Sequence, residues 1–224
     1  MGENRMKRLI TVILALVVCV GTPALAMPTI EFSPDPSTAG NWTYDGAGTL
    51  SFDQDIAVDK GMSSNADALV GALVYIPTLT VSGIPGAPYT VTPIGSQTIS
   101  IKNTDGSATY LTGTLRSGDL VPVGTIGGAY TSFTADIVNI AVTSAGKALG
   151  SAALNSIVAS QTKTLDFELS FQGGSGTNYY TLTQMLDGGY AGGNGFSGAM
   201  TIPEPATIAL LGLGSLTLLR KRKQ

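Results

Sequence analysis

Carboxylates and aromatic rings are the side chains with which this chain of 224 residues could act chemically, because it contains no histidine. Without histidine a Ser-His-Asp triad cannot form, and a zinc site would need carboxylates alone. No glycine-rich loop is followed by the Lys-Ser or Lys-Thr pair that cradles phosphate groups. We therefore expect no catalytic residue, no metal ligand and no cofactor.

Two groups of acids lie in segments that alternate as strands do. Asp53 and Asp55 would share one strand face, with Asp59 close behind, and Asp166 and Glu168 would share another. Like charges placed this way repel unless water or a cation separates them. We interpret both groups as solvated outer faces. A cation site at Asp53 and a two-carboxylate glycan hydrolase are the alternatives, although the Asp53 segment does not match a calcium-binding loop.

Five aromatic residues could stack on the apolar face of a sugar ring. Trp42 and Tyr44 lie two apart on one predicted strand, where packing in the core is the favoured interpretation. Tyr179, Tyr180 and Tyr190 fall in a glycine-rich stretch, and binding residues concentrate in such loops. These three tyrosines are the candidate ligand-binding residues, with a carbohydrate as the candidate ligand.

Charge is segregated along the chain, although the net charge of the whole is only −3. Between Met27 and Ile202 there are five basic and thirteen acidic residues, which leaves that segment at −8. An acidic body repels nucleic acid, whose binding depends on cations that meet phosphates, so we expect no nucleic-acid partner. The single cysteine, Cys19, precedes this segment, so the folded part depends on no disulfide.

The segment after Met27 predicts an all-β domain. The 29 glycines and 11 prolines of the chain suit turns and destabilise helix interiors. Apolar and polar residues alternate with the period of a strand through most of this segment. The segments predicted as strands include 41–44, 49–52, 68–81, 97–102, 109–115, 130–142 and 164–171.

Two stretches depart from this alternation. Apolar residues recur at helical spacing between Lys147 and Ser160, which predicts one short helix. The glycine-rich residues 173–198 predict the longest irregular region. Many short strands, frequent turns and a single helix favour an antiparallel β-sandwich of jelly-roll or immunoglobulin-like type over residues 27–201.

The N-terminal segment has the three parts of a secretory signal peptide. Basic residues precede an apolar run from Leu9 to Val20, and small residues follow at Ala24 and Ala26. The run is too short to span a membrane comfortably. We predict export by the Sec machinery and cleavage by signal peptidase after Ala26, so that residues 1–26 are absent from the mature protein.

The C-terminal segment, residues 202–224, also has three parts. Pro203, Glu204 and Pro205 form a rigid bracket around one carboxylate, because proline fixes φ and lacks a backbone donor. An uncharged apolar stretch, predicted as a short membrane-inserted helix, runs from Ala206 to Leu219. A basic stop of four cations follows: Arg220, Lys221, Arg222 and Lys223. These cations resist crossing the membrane and stay on its cytoplasmic side.

This tail resembles the PEP-CTERM sorting signal of Gram-negative bacteria. The resemblance is carried by Pro203-Glu204-Pro205, the glycine-containing apolar helix and the basic terminus. It implies recognition by exosortase, a transient stay in the inner membrane, and delivery to the surface or the extracellular matrix alongside exopolysaccharide. A plain C-terminal membrane anchor is the alternative.

The sequence therefore predicts an exported, non-enzymatic surface or matrix protein with a structural or adhesive role. A carbohydrate-binding module associated with exopolysaccharide is the second interpretation, and a glycan hydrolase is the third. The resemblance covers the tail alone and does not say what the middle of the chain binds.

Overall fold

A computed structural model describes residues 29–34, 42–52, 56–84, 88–123, 130–161, 163–172, 182–193 and 195–203. The predicted signal peptide, the predicted C-terminal apolar helix and the basic stop lie outside these residues. Within them the chain forms thirteen β-strands and three short helices. These are β1 Thr29–Pro34, β2 Trp42–Tyr44, β3 Thr49–Phe52, β4 Ile56–Gly61, β5 Leu73–Tyr75, β6 Leu79–Ser82, β7 Tyr89–Pro93, β8 Thr98–Lys102, β9 Thr109–Leu115, β10 Gly118–Val123, β11 Tyr130–Val142, α1 Ser144–Ala148, α2 Ala152–Ser160, β12 Thr164–Gln172, α3 Leu182–Gly188 and β13 Phe196–Thr201.

Eight strands close on themselves into an antiparallel barrel. Their order is β12-β13-β1-β4-β5-β8-β9-β11, and pairing of β11 with β12 completes the circle. A closed sheet of eight strands leaves an interior that side chains can fill. Phe167 is buried in this interior, with its ring centroid 6.0 Å from those of both Phe32 and Phe133.

The long strand β11 makes the sheet fork. One of its edges pairs with β12 throughout Tyr130–Val138. Its other edge pairs first with β10 and then, from Ile137, with β9. The remaining strands, in the order β10-β7-β6-β3-β2, form an arm that leaves the barrel at this point. Gly118 is the first residue of β10 at this fork. Only glycine fits there, because a Cβ would lie 2.0 Å from the carbonyl oxygen of Thr134.

Alternation in β12 shows why these residues form a two-faced strand. Leu165, Phe167, Leu169 and Phe171 point into the core and are at most 1% exposed, while the residues between them are polar and face outward. In β11 the alternation changes phase at Asn139, where the pairing with β9 shifts register. Asn139 adopts φ 55°, a left-handed conformation that asparagine tolerates better than most residues.

Besides the ladder between β10 and β11, aromatic packing and one backbone bridge join the arm to the barrel. Trp42 of β2 packs edge-on against Phe171 at 5.1 Å, and Phe52 packs edge-on against Phe196 at 5.7 Å. Tyr44 exchanges backbone hydrogen bonds of 2.6 and 3.0 Å with Gly192, which follows α3. The arm and the barrel therefore share one continuous hydrophobic core.

Polar caps fix the two helices that follow β11. The hydroxyl of Thr143 accepts a hydrogen bond from the backbone N–H of Gly146 at the start of α1. Ser151 is fully buried and accepts from the N–H of Leu154 at the start of α2. Asp67 also holds this end of α2, through the N–H of Ala153 at 3.1 Å. None of the helices in the described residues is both long enough and apolar enough to cross a membrane.

The expectation of an antiparallel all-β domain is confirmed, but the two-sheet sandwich is not, because the described strands form one sheet that closes and forks. Alternation shows which face of a strand is buried; it does not show which edges pair. The single predicted helix is two helices, since Gly150 turns the chain at φ 77° and Ser151 caps a new start. The expectation of irregular structure throughout 173–198 is wrong where α3 and the start of β13 lie.

Candidate functional site

The two ends of the described fold lie side by side. β1 and β13 are antiparallel neighbours, and Thr29, the first residue of β1, pairs with Thr201, the last residue of β13. Facing residues in such a ladder have Cα atoms about 5 Å apart. The chain therefore enters and leaves the barrel at one point of its rim, two residues after Met27 on one side and two residues before Pro203 on the other.

β13 holds the chain firmly up to the beginning of the predicted sorting tail. It lies between β12 and β1 and pairs with both. Phe196, Met200 and the following Ile202 are buried, at 5% exposure or less. Gly198 lets the ring of Phe32 approach, because a Cβ there would lie 2.3 Å from two of its carbons. The folded core thus extends to Ile202, one residue beyond the predicted domain boundary.

Of the residues predicted to direct sorting, Pro203 is the one that the structure describes. It follows the buried Ile202 and is itself half-buried. Proline lacks the N–H that a ladder needs, so it suits the end of β13. The other members of the tail and the signal-cleavage residues lie outside the described residues: Glu204, Pro205, Arg220, Lys221, Arg222, Lys223, Ala24 and Ala26.

The structure describes three of the five aromatic candidates, of which two are core residues and one lies on the surface. Trp42 and Tyr44 are buried, at 1% and 6% exposure, which confirms their assignment to the core. Tyr190 is 47% exposed, follows α3, and donates its backbone N–H to Met185. Tyr179 and Tyr180 lie outside the described residues, so the grouping of the three candidate tyrosines stays a prediction.

Acids cover the outer face of the barrel, where two of them oppose each other. Asp166 and Glu168 of β12 are exposed, as predicted. Asp166 lies directly opposite Asp136 of β11. Partial burial raises the pKa of Asp166, and the neighbouring negative charge of Asp136 raises it further. Glu168 instead accepts a hydrogen bond of 3.2 Å from Ser132.

The described residues give little support to the alternative of a cation site near Asp53. Asp59 is exposed and accepts a hydrogen bond of 2.6 Å from the hydroxyl of Ser33. Asp53 and Asp55 lie outside the described residues. In the parts of the chain that are described, no group of three or more acids, cysteines or histidines is placed to hold a metal ion.

A cavity of about 490 Å³ lies between α1, α2 and the last residues of β11. Its floor is aliphatic and its rim carries two lysines, Lys147 and Lys163, with the amide of Gln161. None of the described residues that line it carries a carboxylate. Sequence reasoning missed this cavity. Sixteen positions separate the two lysines in the sequence, and the fold brings both to the lining of one cavity.

Comparison with known protein families finds a match for the C-terminal tail and none for the rest of the chain. Residues 201–223 match the PEP-CTERM protein-sorting motif, which confirms the resemblance inferred from the tail. The match begins at Thr201, the last residue of β13. No curated protein and no solved structure matches the chain. The motif indicates an exported protein that exosortase processes at the membrane.

Proposed function

We propose that the chain is a surface or matrix protein with a structural or adhesive role, that it performs no catalysis, and that its β-domain is the part delivered by exosortase. The pairing of Thr29 with Thr201 is the observation that carries this proposal. Both address segments are attached at the same point of the barrel rim. The rest of the domain therefore projects away from the membrane while either segment is held there.

The short connection to the tail supports the same function. Ile202 is buried and Pro203 is the next residue, so the folded domain ends immediately before the motif. An enzyme that cleaves beyond Pro203 removes nothing that the core uses. The domain depends on no disulfide, because Cys19 is the single cysteine of the chain. Its stability outside the cell rests on the closed, packed sheet.

Mass measurement of the mature protein tests this proposal. The protein is isolated from a host with exosortase and from the same host without it. With exosortase we expect a chain that begins at Met27 and lacks the apolar stretch and the basic stop. Without exosortase the tail stays attached and the protein stays in the inner membrane.

Two substitutions of glutamate sharpen the test. Glu204→Ala removes the carboxylate from the motif and is expected to leave the tail uncleaved. Glu168→Ala removes a carboxylate from the outer face of β12 and is expected to leave processing unchanged. If the unaltered tail stays attached in the host with exosortase, the segment is a plain membrane anchor and the proposal fails.

A second candidate function is carbohydrate binding, and the cavity beside α2 favours it. Its volume falls in the range of small-ligand sites, about 300–1,000 Å³. Retention of the exported protein on immobilised polysaccharide tests this function, and a protein that passes unretarded over every polysaccharide contradicts it.

A further inference from the structure

The geometry points to the cavity between α1, α2 and β11 as a binding site for a carboxylate-bearing sugar unit of an acidic polysaccharide. The inference rests on the candidate carbohydrate-binding function and adds to it a location and a ligand class. Three features of the cavity carry it: the charge of the rim, the nature of the floor, and the openness of the site to solvent.

The rim concentrates positive charge in a domain that is otherwise acidic. Five cations lie between Met27 and Ile202 against thirteen acids, and two of the five line this cavity. Lys60 is held by Glu31 at 2.7 Å, and Lys102 lies 4.3 Å from the ring centroid of Tyr75. Within the described residues, the ammonium groups of Lys147 and Lys163 have no carboxylate within 4 Å.

The two lysines therefore have their charge available for a ligand. An anion bound in the cavity would gain from both, and none of the described lining residues is a carboxylate that would repel it. Gln161 adds an amide that can donate to a ligand oxygen. Its left-handed conformation ends α2, with φ 53°, and places it on the rim.

The floor is suited to more than a bare ion. Ile140, Val142 and Ile157 supply aliphatic surface there. A sulfate or phosphate ion would fill a small part of 490 Å³ and would gain nothing from these side chains. A uronate has one carboxylate and a ring with apolar C–H groups, so it matches both the rim and the floor.

Openness of the site favours a unit within a polymer over a lipid. Both lysines and Gln161 are exposed, so the rim is accessible from solvent. An acyl chain requires a deep enclosed channel that removes most of its surface from water. An open rim leaves the neighbouring sugar units of a bound polymer in solvent.

Titration calorimetry on the exported protein tests the inference, with oligogalacturonate as the acidic probe. Neutral dextran and inorganic phosphate are the comparison probes. The variants are Lys147→Gln, Lys163→Gln and the double substitution. Lys102→Gln is the matched control, since it removes the same charge from another part of the barrel. An exposed ion pair contributes up to about fivefold in affinity, so we expect about fivefold weaker binding for each single variant and at least tenfold for the double.

Each outcome supports or overturns the assignment. Weaker binding of oligogalacturonate in the cavity variants and unchanged binding in Lys102→Gln supports it. No binding of oligogalacturonate overturns it, as does equal binding by the double variant and the unaltered protein. Equal affinity for dextran keeps carbohydrate binding but overturns the charged ligand, and equal affinity for phosphate overturns the sugar. If the variants lower the melting temperature but leave binding unchanged, the lysines stabilise the helix ends and the assignment is overturned. Processing by exosortase is read separately by mass.

Discussion

The phenol of Tyr89 donates a hydrogen bond to the carboxylate of Asp187, and this bond ties α3 to the arm of the sheet. Tyr89 lies on β7 with 5% of its surface exposed, and Asp187 lies near the end of α3. Burial raises the pKa of the Tyr89 hydroxyl, and the bond to Asp187 raises it further. The proton therefore stays on the phenol throughout the neutral and mildly alkaline range.

Replacement of Tyr89 by Phe should lower the free energy of unfolding by about 1–2 kcal/mol, because the variant keeps the ring and loses one hydrogen bond to a charged group. Urea unfolding followed by fluorescence of Trp42, the single tryptophan, measures this loss. Tyr75→Phe is the control, since the ring beside Lys102 remains. Equal losses in the two variants would show that the bond to Asp187 contributes nothing.

Asp67 gives a prediction that depends on pH. Burial acts to raise its pKa, but hydrogen bonds from the Ser151 hydroxyl and from backbone N–H groups, including those of Leu69 and Ala153, outweigh burial and lower it. A lowered pKa means that the folded state favours the ionised carboxylate. The stabilisation is complete above the pKa of the unfolded chain and is lost as pH falls through the lower folded value.

Asp67→Asn should therefore cost about 1–2 kcal/mol at pH 7, since the amide places a donor against the N–H of Leu69 or of Ala153. The cost should shrink as pH falls below the ordinary range of a carboxyl group. Unfolding free energies measured from pH 7 to pH 3 test this. Asp119→Asn, at an exposed position, is the control. A cost that does not change with pH would contradict the role of the charge.

For Asp166 we predict the opposite effect, namely that replacement of the carboxylate increases stability at neutral pH. Its raised pKa means that ionisation destabilises the folded state, and this penalty develops as pH rises from the unfolded pKa to the folded one. Asp166→Asn should raise stability at pH 7 by about 0.5 kcal/mol, because it removes a like charge opposite Asp136. At pH 3 the gain should vanish. Glu168→Gln is the control and should give no gain, since Glu168 faces Thr134.

Gly118 should be intolerant of a side chain. Gly118→Ala brings a Cβ to 2.0 Å from the backbone oxygen of Thr134, and backbone cannot move aside cheaply. We expect a loss of about 3 kcal/mol or more in urea unfolding. Gly95→Ala provides a comparison, because the new Cβ would meet no atom within 4 Å. Its cost, about 1 kcal/mol, would come only from the backbone angle φ of 74°. If Gly118→Ala costs no more than Gly95→Ala, the fork between β9 and β10 is looser than described.

The sequence predicted the structure best where a strand, or a pair of strands, depends on residues that are close together in the chain. The alternation in β12 and the pairs β2–β3 and β8–β9 follow from residues within a few positions of one another. The closing pair β11–β12 could not be predicted, since many pairings bury the same faces. β13 was missed because Ser197, Gly198 and Ala199 lack the bulky residues of a typical strand, and Gly198 is small because Phe32 packs over it.

The candidate sites divide in the same way. The motif around Pro203 could be identified from sequence, because enzyme recognition of a tail depends on consecutive residues. The cavity with Lys147 and Lys163 could not, because the lysines belong to different elements and charge alone does not reveal a shared cavity. Its aliphatic floor was indistinguishable from ordinary core residues.

The position of β13 also determines how the protein would respond to mechanical force. A pull between the two chain ends would separate Thr29 from Thr201 first, and the remaining rungs of the β1–β13 ladder would then break one after another. A pull on the tail alone, with the N-terminus released, would run along β13. The force would then act at the same time on the six residue pairs between β13 and β12 and on the four between β13 and β1. Removal of the signal peptide would thus change the load on the β1–β13 ladder from peeling to shear.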